Sequence, residues 1–377
     1  MKIIIDDKIP YIKGALEPFA EIIYLPGAKT THEIVKDADA IITRTRTICN
    51  DQLLKGSKVK FIASATIGFD HIDTQFCENS GIKWTNAPGC NAKSVEQYIA
   101  SALFSISMRK RFRLHEKTIG IVGVGNVGSN VAKFCETIGM KVLLNDPPRE
   151  RKEGQEGFVS LETIQKEADI ITFHVPLYIE GEDATFHMVN NEFLNGLGKN
   201  PIIINTCRGE VFDSQAVYDA SEAGLISGLV IDCWENEPEI DMKLLNLVDY
   251  GTPHIAGYSK DGKANGTKMS IQAISRFFNL GIDNWEPREV ELPNNITIEI
   301  DGLQRREEAI LAEAVLSTYD IENDDGNLRD APHTFEKQRG DYPVRREFGT
   351  YTIKALNIEE KTLGKLKILG FNVEEGD

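Results

Sequence analysis

The segment Gly123-Val-Gly-Asn-Val-Gly128 constrains the fold more than any other, because of what flanks it. An apolar stretch suited to a buried strand (residues 119–122) precedes it, and residues 129–138 read as a helix. In that strand–turn–helix context each glycine has a task. Gly123 permits the tight turn, Gly125 lets a pyrophosphate approach backbone N–H groups, and Gly128 lets helix pack on strand. The helix N-terminus then faces phosphate charge. Asp146 closes the next apolar run, residues 141–145, where a carboxylate can accept both ribose hydroxyls and repel a 2′-phosphate. Arg149 is the feature that would admit NADP, but Asp146 followed by Pro147 and Pro148 favours NAD.

Short apolar runs at residues 2–6, 21–25, 40–45, 60–65 and 83–86 precede a helical stretch at 94–109. A second series follows at 118–122, 141–145, 169–174, 201–205, 228–233 and 249–252. Near-continuous Ile/Val/Leu runs with helices between them indicate parallel α/β structure. A polar helix ending near residue 280 is expected to return to the first domain. Beyond residue 291, strands at 295–300, 350–354 and 371–374 with helices at 303–319 and 359–369 suit a small α+β module.

Length and composition restrict the function classes. With 377 residues, 41% hydrophobic and 27% charged, the chain suits two or three folded domains. No apolar run spans a bilayer, and the opening Met1-Lys-Ile-Ile-Ile-Asp-Asp has no signal-peptide core. The six scattered cysteines form no C-x-x-C pair, so no metal is expected and a reducing cytoplasm is. A net charge of −16 opposes nucleic acid and acidic membranes, so neither is an expected partner.

Three later segments each end a strand: Asn205-Thr-Cys-Arg208-Gly-Glu, Asp232-Cys-Trp-Glu-Asn-Glu237-Pro, and Thr252-Pro-His254-Ile-Ala-Gly257. Ligands collect at the carboxyl ends of strands in open α/β sheets. A guanidinium such as Arg208 grips a carboxylate with two donors. An imidazole such as His254 can take a hydroxyl proton near neutrality. A carboxylate such as Glu237 behind that ring sets its tautomer and supports the imidazolium. Hydride removal from a small, anionic 2-hydroxy acid needs all three.

The glycine fingerprint with the N-T-C-R-G, D-x-W-x-x-E-P and T-P-H-I-A-G segments resembles the D-isomer-specific 2-hydroxyacid dehydrogenase family, over about residues 1–285. That resemblance implies an α/β fold with a flavodoxin-like substrate (lid) domain, residues 1–93 and 258–285. It also implies a Rossmann-like NAD domain at 94–257, with the active site in the cleft between the two, and a small C-terminal α+β dimerisation domain at 286–377. Arg208 becomes the carboxylate anchor, Glu237 the histidine partner and His254 the acid/base. The NAD-binding set becomes Gly125, Asn126, Val127, Gly128, Asp146, Cys207, Asp232 and Gly257. Domain closure is expected to exclude water, with hinges near residues 92–94 and 257–260.

Ala87-Pro-Gly-Cys-Asn-Ala, Asn145-Asp-Pro-Pro, Tyr258 after the histidine segment and Val344-Arg-Arg-Glu347 narrow the resemblance to a branch acting on a small phosphorylated hydroxy acid. Thr43-Arg44-Thr45-Arg46-Thr47 follows a strand and offers two guanidinium groups to a phosphate. If the strand persists, Arg44 and Arg46 share a side. Thr66 and Tyr258 are further candidate substrate ligands. Arg345 or Arg346 could be lent to the partner's phosphate site in a homodimer built through the C-terminal domain; the alternative is a surface ion pair with Glu347. Other readings are a 3-phosphoglycerate or hydroxypyruvate type of dehydrogenase, and an NAD-sensing corepressor-like binding protein.

Overall fold

Ile3, Ile4 and Ile5 show how an all-apolar run becomes a central strand. Ile3 and Ile5 enter one core with Ile42, Phe61, Ile271 and Ile274. Ile4 faces the opposite core with Val35, Ile41, Ile62 and Cys77. Alternate residues of a strand point to opposite faces, so a sheet covered on both sides has no use for a polar alternate. In the computed structural model, which describes residues 1–376, these form two units: 1–91 with 258–292, and 92–257 with 293–376.

The first unit contains β1 (Lys2–Asp6), β2 (Glu21–Leu25), β3 (Ala40–Thr43), β4 (Phe61–Ser64) and β5 (Lys83–Thr85). They form a parallel sheet in the order β2-β1-β3-β4-β5, the flavodoxin-like winding. The helix Lys260–Phe278 starts on a Ser259 cap and covers one face through Ile271 and Ile274. Its Gly266 passes so close to Ala65 that a Cβ there would lie 2.3 Å from the Ala65 carbonyl oxygen.

The second unit is built on β6 (Thr118–Val122), β7 (Lys141–Asn145), β8 (Ile170–Phe173), β9 (Ile202–Asn205), β10 (Gly228–Ile231) and β11 (Tyr250–Gly251). All six are parallel, in the order β11-β10-β9-β8-β6-β7, with β11 at the edge. The 19-residue helix Ala92–Lys110 is buried along most of its length. The same unit holds β12 (Thr297–Asp301), β13 (Thr352–Leu356) and β14 (Asn372–Glu375), a parallel sheet in that order. Helices Glu307–Leu316 and Glu360–Leu369 accompany it. Two further helices, Ile321–Asp330 and Phe335–Gly340, lie in a stretch for which the sequence suggested no element. Among the described residues no helix is long and apolar enough to cross a membrane.

Candidate active site

The glycine fingerprint folds as its spacing requires. Gly123 has φ +87°, and a Cβ on Gly128 would lie 2.0 Å from the Gly123 carbonyl oxygen. Gly125 is different: a Cβ there would meet no protein atom within 4 Å. That open space lies at the exposed start of the helix Asn126–Thr137, which has no side-chain cap. The uncapped N–H groups and bare backbone suit a pyrophosphate.

Asp146 presents its carboxylate beside this loop, accepting Val124 N–H at 2.8 Å and Arg149 N–H at 3.0 Å. Each oxygen keeps a lone pair for a ribose hydroxyl. Arg149 donates to both oxygens of Glu153, at 2.9 and 2.6 Å, and to the Val124 carbonyl at 2.5 Å. Its guanidinium is therefore committed locally, and the residues present fit NAD.

Three strand ends lie in the same unit, and Asn205 ties two of them. Its Nδ2 donates to the carbonyls of Arg208 (2.9 Å) and Cys233 (3.3 Å), and its Oδ1 accepts Cys207 N–H at 3.1 Å. Gly209 passes so close to the Trp234 carbonyl that a Cβ would lie 1.9 Å from its oxygen. Arg208, half-buried, donates to the Cys207 carbonyl at 2.8 Å. Neither Asn205 nor Gly209 stood out in the sequence except as neighbours of Arg208.

Glu237 and His254 pair side chain to side chain. Nδ1 of His254 lies 2.8 Å from one Glu237 oxygen and 3.1 Å from the other, which also accepts Trp234 N–H at 2.9 Å. Burial works against the Glu237 charge. The hydrogen bond and charge of His254, the Trp234 N–H and Arg339 outweigh it, holding the carboxyl below its usual range. With Nδ1 engaged, Nε2 is the ring atom left for a reacting group, on a side chain 31% exposed.

Asp232 lies behind this pair, 1% exposed. Oδ1 accepts the Thr252 hydroxyl (2.6 Å) and Ile255 N–H (2.7 Å), and Oδ2 accepts Ala256 N–H (2.9 Å). Burial pushes its carboxyl up, and these donors and His254 oppose the shift. One oxygen retains capacity for an amide donor. Ligand atoms of Cys233, Glu237 and His254 lie within 4.8 Å of one another, a spacing that could hold a cation. Burial beside Asp232 and Glu237 keeps the Cys233 thiol protonated, however, and Nδ1 is committed to Glu237.

In the first unit, β3 ends at Thr43, so the alternation expected to put Arg44 and Arg46 on one side does not continue. Arg44 donates to the Lys8 carbonyl at 3.3 Å and bears electrostatically on Lys263. Arg46 lines a hollow of about 290 Å³ with Thr30, His32, Asn50 and Gln52. Thr45 is exposed. The Thr66 hydroxyl lies 2.9 Å from Ser64 Oγ and donates to Gly68 at 3.0 Å. Tyr258 lies beneath Lys263, whose ammonium is 4.5 Å from the ring centre. Burial, Arg44 and Lys260 together pull Lys263 down to about 8. Lys263 was missed in the sequence, where it lay unremarked in a polar helix that follows the expected hinge at residues 257–260.

Arg345 contradicts the surface reading: it is 4% exposed and its guanidinium is spent inside the second unit. It is not available to a partner's site. Arg346 is half-buried, and its carbonyl accepts Gln97 Nε2 at 2.9 Å.

Residues 91–256 match the family model described as D-isomer specific 2-hydroxyacid dehydrogenase, NAD binding domain. Residues 292–370 match one described only as a domain of unknown function. The chain is 54% identical to an erythronate-4-phosphate dehydrogenase of Bacteroides thetaiotaomicron, over 94% of this chain and 99% of the relative. One from Porphyromonas gingivalis is 42% identical over 96% of this chain and 97% of its own. Among solved structures, D-lactate dehydrogenase from Aquifex aeolicus, complexed with NAD and lactic acid, is 27% identical. It has a TM-score of 0.62 and covers 75% of this chain and 97% of its own.

Proposed function

Because the chain belongs to the D-isomer-specific 2-hydroxyacid dehydrogenase family, we propose that it oxidises 4-phospho-D-erythronate to 2-oxo-3-hydroxy-4-phosphobutanoate, a step in pyridoxal 5′-phosphate biosynthesis. The observation that carries the chemistry is the Glu237–His254 pair on the strand ends that also position Arg208. Arg208 anchors the substrate carboxylate through a planar guanidinium. His254 Nε2 accepts the C2 hydroxyl proton, and Nδ1–H keeps its bond to Glu237, which supports the imidazolium. NAD supplies the hydride acceptor. Gly125, Asn126, Val127 and Gly128 are assigned its pyrophosphate, Asp146 its ribose, and Cys207, Asp232 and Gly257 its nicotinamide side.

The phosphate is assigned to the first unit, with Arg44 and Lys263 as cations and Thr45, Arg46, Thr66 and Tyr258 as further ligands. A homodimer through the C-terminal residues is supported by two exposed leucines, Leu303 (63%) and Leu356 (41%), at one end of the β12–β14 sheet. Arg346, rather than Arg345, is the residue that could serve a partner's site. Six buried cysteines, none of them in a disulfide, suit the reducing cytoplasm.

The test is NADH formation with 4-phospho-D-erythronate beside 3-phosphoglycerate, with His254→Ala as control. A 2-oxo acid is supplied as acceptor so that retained NADH does not mask turnover. Preferred turnover of the four-carbon acid, lost in the variant, is the expected result. A preference for 3-phosphoglycerate removes the substrate assignment, and NADH binding without turnover of either acid favours a sensing protein.

A further inference from the structure

Arg345 presents a physical problem. A guanidinium buried to 4% exposure is expensive to hold unless its donors are used. Those donors go to the helix Ala92–Lys110 and to the chain just after His254. Nε reaches Gln97 Oε1 at 2.8 Å, Nη2 reaches the Ser94 carbonyl, and Nη1 reaches the Ile255 carbonyl at 3.3 Å. The plane lies 3.9 Å from the Tyr319 ring centre. Tyr319 and Tyr342 donate to one Asp324 oxygen, at 3.0 and 2.7 Å.

The peptide it holds matters. His254 has φ +55°, a left-handed conformation that is costly for a residue with a Cβ and must be imposed from outside. On one side, His254 N–H donates to the Asp232 carbonyl at 2.8 Å and Ile255 N–H to its carboxylate at 2.7 Å. On the other side, the Ile255 carbonyl is taken by Arg345.

The helix Ile321–Asp330, which carries Asp324, grips the chain leading into this turn. Arg329 donates to the carbonyls of Leu245 (2.8 Å) and Val248 (2.9 Å). Asp325 accepts Gly251 N–H at 2.7 Å, and Glu322 accepts the Tyr250 hydroxyl at 3.0 Å. β11 is an edge strand that pairs only with β10 among the described strands, so these contacts stand where a further strand would. A second route joins the same parts: Tyr319 stacks on Tyr98 at 6.0 Å, and Tyr98 bonds Thr252, which donates to Asp232.

We propose that the region matched only to a domain of unknown function is an outer wall of the active site, and that Arg345 is the positioning residue that sets the backbone of His254. The inference rests on the reading of His254 as the acid/base. Loss of Arg345 leaves the ring bonded to Glu237 and Ala256 N–H bonded to Asp232 but takes the donor from the Ile255 carbonyl, so the turn is held from one side only, and displacements on the order of 1 Å cost about 100-fold in rate.

The experiment compares the full-length protein with Arg345→Met, Arg345→Lys and Leu363→Ala, measuring kcat, KM, NAD affinity and melting temperature. Leu363 lies in the same region, 4% exposed and remote in sequence from these contacts, and calibrates a purely structural loss. Arg345→Met is expected to lower kcat about 10- to 100-fold with KM and NAD affinity within about threefold. Arg345→Lys keeps the charge but cannot span all three acceptors, so it recovers part of that loss. Leu363→Ala melts lower yet retains kcat. A wild-type kcat in a folded Arg345→Met, or in Arg345→Lys should the methionine variant not fold, overturns the inference. So does an equal fall of kcat in Leu363→Ala. His254→Ala is the separate arm: if it retains turnover, the acid/base reading fails instead.

Discussion

Replacing Glu237 by glutamine should harm turnover more than replacing it by alanine. One Glu237 oxygen accepts both Trp234 N–H (2.9 Å) and His254 Nδ1 (3.1 Å), and the other lies 2.8 Å from the same Nδ1. A glutamine must keep its oxygen toward Trp234, since the flipped amide would set two donors face to face. Its NH2 then points at Nδ1 from 2.8 Å and selects the tautomer with the proton on Nε2. That tautomer cannot accept the substrate's proton. An amide behind a catalytic histidine costs about 10⁴-fold by this route in serine proteases, so about 10²- to 10⁴-fold is expected here. Alanine leaves the tautomer free; of its two losses, the Trp234 N–H bond and the charge-assisted bond to His254, the second bears on the ring, about 2 kcal/mol or about 30-fold. Steady-state kcat for both variants, with the isotope effect of C2-deuterated substrate to confirm that chemistry limits, gives the comparison. A glutamine variant equal to or faster than the alanine variant would refute the tautomer argument.

Other expected outcomes follow from single contacts. Gly125→Ala, at φ −75° with open space around it, should melt within about a degree of the parent yet bind NAD at least about tenfold more weakly; unchanged affinity in a titration removes the pyrophosphate assignment. Gly209→Ala should lose several kcal/mol in denaturant titration, because its Cβ would lie 1.9 Å from the Trp234 oxygen. Lys263→Met should raise KM for the phosphorylated acid about tenfold or more with little change in kcat, and an unchanged KM excludes Lys263 as a phosphate ligand. Glu96, 5% exposed, is pushed up to about 7, chiefly by burial, with Lys93 opposing and Glu347 adding. A folded value above the ordinary one means its contribution is present below about pH 4.5 and lost as pH rises through about 7, at most about 3 kcal/mol. Glu96→Gln should therefore flatten the fall in melting temperature between about pH 5 and about pH 8, and an unchanged slope refutes it.

The sequence announced the strands because buried parallel strands need apolar residues on both faces, as Ile3–Ile5 illustrate. The cofactor loop was legible for a similar reason, since a turn without Cβ atoms can be met only by glycines at fixed spacing. The pairing of Glu237 with His254 was readable because each follows a recognisable strand. The helix Ile321–Asp330 was not: Ile-Glu-Asn-Asp-Asp-Gly-Asn-Leu-Arg-Asp is poor in helix formers, and burial of Ile321 and Leu328 sustains it. Arg345 read as a surface residue because arginine usually is one, and nothing local encodes Gln97 or Ile255 as its partners. The expectation that Arg44 and Arg46 share a side depended on the strand continuing, and β3 stops at Thr43.

The discontinuous first unit has a consequence for synthesis. Residues 1–91 leave the ribosome first, but the core around Ile3, Ile5, Ile12 and Phe61 needs Ile271 and Ile274 to close one face of its sheet. Thr267 also bonds the Pro10 carbonyl at 2.9 Å, so the waiting segment is held at several points. The second unit waits longer, for Arg329 and Arg345. A chain synthesised as far as residue 257 thus carries two unfinished cores, with apolar faces exposed to chaperones and proteases until residues 258–345 emerge. Moving residues 258–292 ahead of Met1 in a permuted gene would let the first unit finish before the second begins.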